Sequence, residues 1–307
     1  MTKRRAWLIL IVCLRLAVAG WGATWQGPDV VFETTSPYHH IQVVDLEGMR
    51  TLHFDDSTQS RMSLEDALQG HFEYTEYFHM PWLWNGNIKT ALMIGLGGGS
   101  IQRAYERYYP QVQCETVELD PKVVEVAREY FHFKESKTVK VIVGDGRVHL
   151  RRTQSKYDVI LLDAYTASRY GSFIPYALVT REFFALANEH LTEHGVLAYN
   201  VIGSVYGGRQ DIVSAVYKTL RTSFAQVYLF PAAGSRNVVI VATKSAEPMT
   251  LSQLNRKADE LIESKKVTFP SFKARLQRLR TRPPLGAEGA QLLTDDFAPV
   301  DGLLKTD

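Results

Sequence analysis

From Thr90 onward, short apolar runs alternate with amphipathic stretches: TALMIGL then SIQRAYERYY, CETVEL then PKVVEVAREYF, VKVIVG then GRVHLRR, YDVILLD then TREFFALANEHL, and GVLAYNV then RQDIVSAVYKTLRTSF. The first member of each pair has the length of a buried strand, and the second carries apolar residues at helical spacing. Five such units with short connections predict an α/β fold, a Rossmann-like, doubly wound parallel sheet with ligands at the carboxyl ends of its strands. Two further runs, AQVYLF and NVVIVAT, predict an antiparallel strand pair closing the sheet edge. Upstream, VVFETT, HHIQVVDL and RTLHF, broken by Ser36-Pro37 and Glu47-Gly48, predict a small antiparallel β unit followed by a helix over about 63–78. After Thr250 the pattern predicts a helix in SQLNRKADELIESK, then a basic segment, FKARLQRLRTRPP, read as a solvated helix face, and a closing LLTDDFAPVDGLL. The expected organisation is a leader-like segment 1–25, a β unit with a linking helix 26–80, a Rossmann-like catalytic domain 81–250, and a C-terminal helix and tail 251–307.

The leader-like segment has basic residues Lys3, Arg4 and Arg5 before an apolar run that extends to Ala23, with small residues at Val18-Ala19-Gly20. That is the layout of a signal peptide or membrane anchor, with residues 6–23 as the membrane-associating stretch. Arg15 inside the run costs about 2.5 to 3.5 kcal/mol on insertion scales, which weakens a spanning reading. A cytoplasmic tail is the alternative, so location stays open between anchored or exported and cytoplasmic.

Composition narrows the function classes. A chain of 307 residues, 45% hydrophobic and 22% charged, can bury a full core, and a net charge of +2 gives no basic excess suited to nucleic acid. Cys13 and Cys114 are too few for a disulfide framework or a cysteine-based zinc site, and no metal is expected.

The chemistry gathers at predicted strand ends. Strand ALMIG runs into Gly95-Leu96-Gly97-Gly98-Gly99-Ser100 and then a helix, a turn that lets a ligand approach the backbone and presents free N–H groups. Nicotinamide, flavin and S-adenosylmethionine enzymes all use such a turn. Glu118 ends the next strand, 19 residues beyond Gly99, where a carboxylate can accept both ribose hydroxyls. Asp120, before Pro121, is expected to cap the following helix. In Gly144-Asp145-Gly146-Arg147, Asp145 is placed either to take an adenine amino group or to cap a helix. Together these residues favour an adenosylmethionine-type cofactor over a dinucleotide. Asp163 ends the fourth strand, facing the reactive end of a cofactor so placed, where it could orient an amine or take its proton. Asp158, near the start of that strand, is expected to be structural.

These residues resemble the spermidine synthase (polyamine aminopropyltransferase) family, with similarity over about Ser36 to Thr243. The resemblance rests on SPYHHIQV, DDSTQS with Gln59, YTEYFHMP with Tyr74 and Glu76, and on MIGLGGGS, VELD, VGDGR and YDVILLDAY. It implies a β-stranded N-terminal domain on a methyltransferase-type Rossmann-like domain, and transfer of an aminopropyl group from decarboxylated S-adenosylmethionine to a small-molecule amine in polyamine biosynthesis. Carried over by position, Gly95, Gly97, Gly98, Gly99 and Gly146 would line the cofactor, Glu118 bind ribose, Asp145 bind adenine and Asp163 accept the proton. Gln59, Tyr74 and Tyr165 would touch the substrate; Tyr165, Tyr170 and Ile174 lie in a loop expected to line the acceptor pocket, with a packing role the alternative for Tyr165 and Tyr170. Family members commonly form homodimers.

Two positions depart from the family pattern. Gly98 stands where the family's turn usually carries aspartate, and Asp163-Ala164-Tyr165-Thr166-Ala167 lacks the second acid of the family's loop, with Thr166 in its place. Each charge-assisted hydrogen bond lost is worth roughly 1.5 to 3 kcal/mol, so tight polyamine binding is in question. The DAY form and the terminal LTDDFAPVD are closer to spermidine-synthase-like domains fused to membrane transporters. One compensating arrangement would fold Asp295 and Asp296 over the cofactor site, and the alternative is a tail that docks and caps a helix. Three functions remain: an aminopropyltransferase with Asp163 as base, a methyltransferase using intact S-adenosylmethionine, or a cofactor-binding module without turnover.

Overall fold

The computed structural model describes residues 27–168 and 171–303, so the leader-like segment and Tyr170 lie outside the described residues. Strands β1 (Asp29–Thr35), β2 (His40–Leu46), β3 (Met49–Phe54) and β4 (Ser57–Ser63) form an antiparallel sheet in sequential order. Glu47 and Gly48, at φ 51° and 75°, make the two-residue turn between β2 and β3, since a hairpin turn of matching twist needs positive φ at both centres. Ile41, Val43, Leu52, Phe54 and Met62 bury one face of this sheet against Val123, Val126 and Phe131 of the larger domain. Strand β4, STQSRMS, has one large apolar residue, which is why the apolar pattern missed it.

The helix expected over 63–78 is displaced. Residues 64–72 form turns instead, because Ser63 Oγ accepts the Glu65 N–H, Asp66 Oδ1 accepts the Leu68 N–H, and Gly70 takes φ 76°. A 3-10 helix follows over Glu73–Leu83.

The larger domain begins with β5 (Thr90–Ile94), α1 (Ser100–Tyr108), β6 (Gln113–Glu118), α2 (Pro121–Tyr130), β7 (Val139–Val143), α3 (Gly146–Arg152) and β8 (Tyr157–Leu162). A short hairpin, β9 (Thr166–Ser168) and β10 (Gly171–Phe173), then leads to α4 (Arg181–His190) and β11 (Leu191–Ile202). Next come α5 (Ile212–Leu220), β12 (Gln226–Pro231), β13 (Asn237–Thr243), α6 (Leu251–Glu263), α7 (Phe272–Leu276) and α8 (Val300–Leu303).

The seven-stranded sheet has the order β12-β13-β11-β8-β5-β6-β7. Strands β11, β8, β5, β6 and β7 pair in parallel, while β13 runs antiparallel to both β11 and β12. After β5 the chain winds outward through β6 and β7, then returns to place β8 on the other side of β5. The crevice at a carboxyl end opens at such a reversal, here between β5 and β8. One face of the sheet packs on the 3-10 helix, α6 and α7 through Tyr77, Phe78, Leu254 and Phe272, and the other on α4, α5 and the tail through Phe183, Val216 and Leu293.

The basic segment after Phe269 is not simply a solvated face. Its helix spans only Phe272–Leu276, Arg275 turns inward to pair with Glu73 at 3.1 Å and Glu76 at 2.7 Å, and Arg280 exchanges backbone hydrogen bonds with Leu229.

Candidate active site

One cavity at the carboxyl ends of β5, β6, β7 and β8 is lined by Gly95, Gly97, Glu118, Asp145, Gly146 and Asp163, and is closed from the N-terminal sheet side by His39, Phe54, Gln59 and Ser60. Three strand-end acids and the glycine turn therefore share one space. Gly95 sits at φ 102°, and a Cβ there would lie 2.2 Å from the Asp163 carbonyl oxygen, so only glycine lets β5 and β8 end this close together.

Glu118 is fixed by the turn beside it. Its Oε2 accepts the Leu96 N–H and its Oε1 the Asp120 N–H, both at 2.9 Å. Burial raises its pKa, opposed by backbone hydrogen bonds from Asp120, Leu96 and Leu119. Asp120 caps α2 by accepting the Lys122 N–H, as its place before Pro121 predicts. Asp145 does two things at once. Its Oδ1 accepts the Val148 N–H at 2.7 Å and caps α3, while the residue also lines the cavity.

Asp163 is held by two side chains rather than by the backbone. Asn200 Nδ2 donates to its Oδ1 at 2.9 Å and the Tyr74 hydroxyl donates to its Oδ2 at 3.1 Å. Asn237 Nδ2 in turn donates to Asn200 Oδ1 at 3.0 Å, orienting the amide. Burial pushes the Asp163 carboxyl up to about 6, against the lowering effect of the two donors. A carboxylate near that value is ionised at neutral pH yet basic enough to accept a proton.

Other expected residues are placed differently. Gly98 and Gly99 do not line the cavity. Gly98 donates its N–H to Ser60 Oγ at 2.9 Å, and Gly99, at φ 74°, precedes α1 against Phe133. A Cβ at Gly98 would meet Phe131 at 2.9 Å and Ser60 at 3.0 Å, so the acid absent from this position has no room here. Tyr165 lines the cavity, but its hydroxyl is held by β11, donating to the Asn200 carbonyl and accepting the Ile202 N–H. Ile174 is buried in the core rather than in the cavity wall. Glu76 pairs with Arg275 and His71, which, against the opposing effect of burial, hold its carboxyl down at about 2, and it does not line this cavity.

The tail docks without supplying the missing acids. Asp295 is gripped by both terminal nitrogens of Arg147, at 2.7 and 2.6 Å, and by the Thr180 hydroxyl. Neither Asp295 nor Asp296 lines the cavity, so of the two arrangements open to the tail the structure has it docked, and the one that folds these acids over the site is not formed. Sequence reasoning also missed Asn200, whose one signal was an amide in the otherwise apolar run GVLAYNV. It missed His39 too, which stacks on Phe54 at 4.3 Å between ring centres beside the cavity.

A sheet of this order, with a glycine turn after its first parallel strand and acids after the next ones, defines the Rossmann-like, methyltransferase-type fold. Solved structures agree. Human methyltransferase-like protein 13 in complex with SAH superposes at TM-score 0.57 with 24% identity, over 64% of this chain and 94% of that one. Spermidine synthase from Thermotoga maritima superposes at TM-score 0.58 with 20% identity, over 81% of this chain and 87% of that one. Residues 71–250 match the family described as Spermine/spermidine synthase domain. The polyamine aminopropyltransferase of Vibrio vulnificus is 30% identical over 284 residues, covering 90% of this chain and 91% of that protein. The enzyme of the same name from Chromobacterium violaceum is 29% identical, covering 78% and 89%. The chain belongs to the spermine/spermidine synthase family, a family of transferases.

Proposed function

We propose that the protein transfers an aminopropyl group from decarboxylated S-adenosylmethionine to an amine. The observation that carries this reading is Asp163: a half-buried carboxylate, held by Tyr74 and Asn200, in the same cavity as Glu118, Asp145 and the glycine turn. In this reading Glu118 accepts from the ribose hydroxyls. Asp145 accepts from the adenine amino group, and the backbone at Gly95, Gly97 and Gly146 lies close enough for the donor to rest on it. The amine arrives protonated. Asp163 takes one proton, the freed nitrogen attacks the methylene next to the sulfonium, and the carbon–sulfur electron pair leaves on sulfur as a neutral thioether.

The finer points are part of the same proposal. The donor is the decarboxylated form, a homodimer is the assembly the family resemblance implies, and residues 6–23 are the candidate stretch for membrane association, with a cytoplasmic tail as the alternative. Among the described residues no helix is long and apolar enough to cross a membrane.

The test is to incubate the purified chain with each form of the donor and a panel of amines, then identify the thioether released. Methylthioadenosine is expected, with decarboxylated donor and only when amine is present. S-adenosylhomocysteine from the intact donor would assign methyl transfer instead. Donor binding without either product would leave a binding module.

A further inference from the structure

The two side chains that hold Asp163 are joined to each other by a second route. Asn200, 1% exposed on β11, gives its Nδ2 to Asp163 Oδ1 and receives the Asn237 Nδ2 on its own Oδ1 at 3.0 Å. Asn237 opens β13 opposite Ile202, which puts it diagonally across from Asn200. Its Oδ1 accepts from the Ser235 hydroxyl at 2.7 Å. In the loop just before Ser235, the N–H groups of Ala233 and Gly234 both donate to Glu73 Oε2, at 2.9 and 3.3 Å. Glu73 Oε1 accepts from the Tyr77 hydroxyl at 2.8 Å and from Arg275 at 3.1 Å. The next residue on the same 3-10 helix is Tyr74, whose hydroxyl donates to Asp163 Oδ2. Starting from one carboxylate oxygen, the circuit runs through Asn200, Asn237, Ser235 and Glu73 and returns through Tyr74 to the other.

This circuit has a direction. A side-chain amide has one accepting end and one donating end, so fixing one end of Asn237 fixes both ends of Asn200. With Asn237 Oδ1 turned to Ser235, Asn200 presents its N–H to Asp163, and that contact favours the ionised acid. An inverted Asn200 would place its oxygen against Asp163 Oδ1 and favour the protonated acid instead. Neither Asn237 nor Glu73 lines the cavity or its smaller lobe. The titratable groups facing Asp163 are Tyr74 on the 3-10 helix, Arg61 on β4, Tyr165 after β8 and Tyr199 on β11, with Glu118, Asp145 and His39 elsewhere in the cavity wall.

We propose that Asn237 and Glu73 are positioning residues for the proton transfer: Asn237 sets the direction of the Asn200 amide, and Glu73 anchors the loop that holds Asn237. Together they keep Asp163 ionised and ready for the proton of the attacking amine. This rests on the reading of Asp163 as proton acceptor and adds the residues that prepare it.

The experiment follows methylthioadenosine release against pH by the full chain, with decarboxylated S-adenosylmethionine and 1,4-diaminobutane. In parallel, carboxyl-carbon NMR follows the titration of Asp163, its signal assigned by its loss in Asp163→Asn. Asn237→Asp, whose carboxylate has no proton to give Asn200, should move both curves up by about one pH unit. Then kcat/KM at about pH 5 falls roughly ten-fold, the scale of one charge-assisted hydrogen bond, and the deficit shrinks as pH rises. Asn237→Leu, of similar size and without charge, should move them the same way, with a loss of about three-fold. Glu73→Ala should also move them upward by about three-fold, although loss of a negative charge by itself acts downward. Glu73→Gln, whose amide oxygen still accepts from the loop, should recover most of that loss. Combining Glu73→Ala with Asn237→Leu should add little to Asn237→Leu alone, because both act through one amide. Unfolding temperature is measured on every variant. In the wild type, the side-chain amide protons of Asn200 and Asn237 should shift together through the Asp163 titration, a readout that needs no variant to fold. Independent shifts would overturn the proposal. So would an Asp163 titration that stays in place in the Asn237 variants or moves down in Glu73→Ala, and so would losses equal at every pH, the mark of a purely structural role. Absence of methylthioadenosine with every amine would defeat the transfer reading, while the Asp163 titration would still decide whether the circuit acts on the carboxylate.

Discussion

Strand β8 begins near one aspartate and ends on another, and the two ends of the sheet use the same side chain in opposite ways. At the amino end, Asp158 accepts four hydrogen bonds: from the backbone N–H groups of Lys89 and Thr90 and the hydroxyls of Thr90 and Thr192. It ties the first residues of β5 and β11 to β8, and its lone pairs are largely used up. At the carboxyl end, Asp163 accepts only two, both from side chains, and its carboxyl is pushed up to about 6 by burial. A saturated acid is structural. An acid left short of donors in a cavity has capacity for chemistry, and it carries a cost in the folded state when ionised.

The widest separation between the two ends should come from removing each charge. Asp163→Asn is expected to lower turnover by about 100- to 10,000-fold, the usual contribution of a positioned general base, while donor affinity changes little. The amide fits the same site, because its oxygen still accepts from Asn200 and its nitrogen donates to the Tyr74 hydroxyl. Asp158→Asn should do the reverse, costing about 1 to 3 kcal/mol of stability with turnover unchanged in the folded fraction. Steady-state kinetics with calorimetric unfolding on both variants measures this, and equal kinetic losses would erase the distinction.

Protonation sharpens the same contrast. Since Asp163 must be ionised to accept a proton, kcat/KM should rise with pH through about 6. Its effect on stability has the opposite sign. The folded value lies above the ordinary 3.8, so between those two values the folded chain holds more protons than the unfolded one and stability falls as pH rises. Asp163→Asn should therefore unfold at a higher temperature than wild type at pH 7.5, with the gap closing below about pH 4. Tyr74→Phe removes one donor to the carboxylate, so the ascending limb should move to higher pH, with turnover at pH 6 falling roughly ten-fold. A limb that stays in place would mean that Tyr74 does not touch the ionised form.

Much of this contrast was legible in the sequence, and what was not has a physical reason. Periodicity exposed the five parallel strands, and each candidate acid fell at a strand end because an apolar run has to stop where the sheet meets solvent. Asp120 before Pro121 announced its cap, and Asp158 its structural role. Strand β4 stayed hidden because it exposes polar residues to the cavity, so the same feature that puts Gln59 and Arg61 at the site removed the signal for the strand that carries them. Asn200 was invisible for a related reason, as a lone amide in a core strand acquires meaning only when Asp163 lies opposite it. Whether an acid is saturated is likewise a matter of tertiary neighbours, and Asp295 shows the limit: its sequence context allowed a docked tail or one folded over the site, and the partner that decides between them is 148 positions away.

Asp295 provides the smallest expected effect. Arg147 is 8% exposed and depends on Asp295 and the Ala177 carbonyl for its hydrogen bonds, so Asp295→Asn exchanges a charge-assisted pair for a weaker neutral one. The Asp295 side chain is 40% exposed, so solvent screens part of the interaction and the loss should be only about 1 kcal/mol. Arg147 holds the Asp295 carboxyl below its ordinary 3.8, and the contribution is accordingly present above that value and fades as pH falls below it. Donor affinity, read by calorimetric titration, should stay within about two-fold of wild type, because the pair braces α3 from outside the cavity. A larger loss would mean that Arg147 positions Asp145 through the first turn of α3, and the tail would then belong to the carboxyl-end site after all.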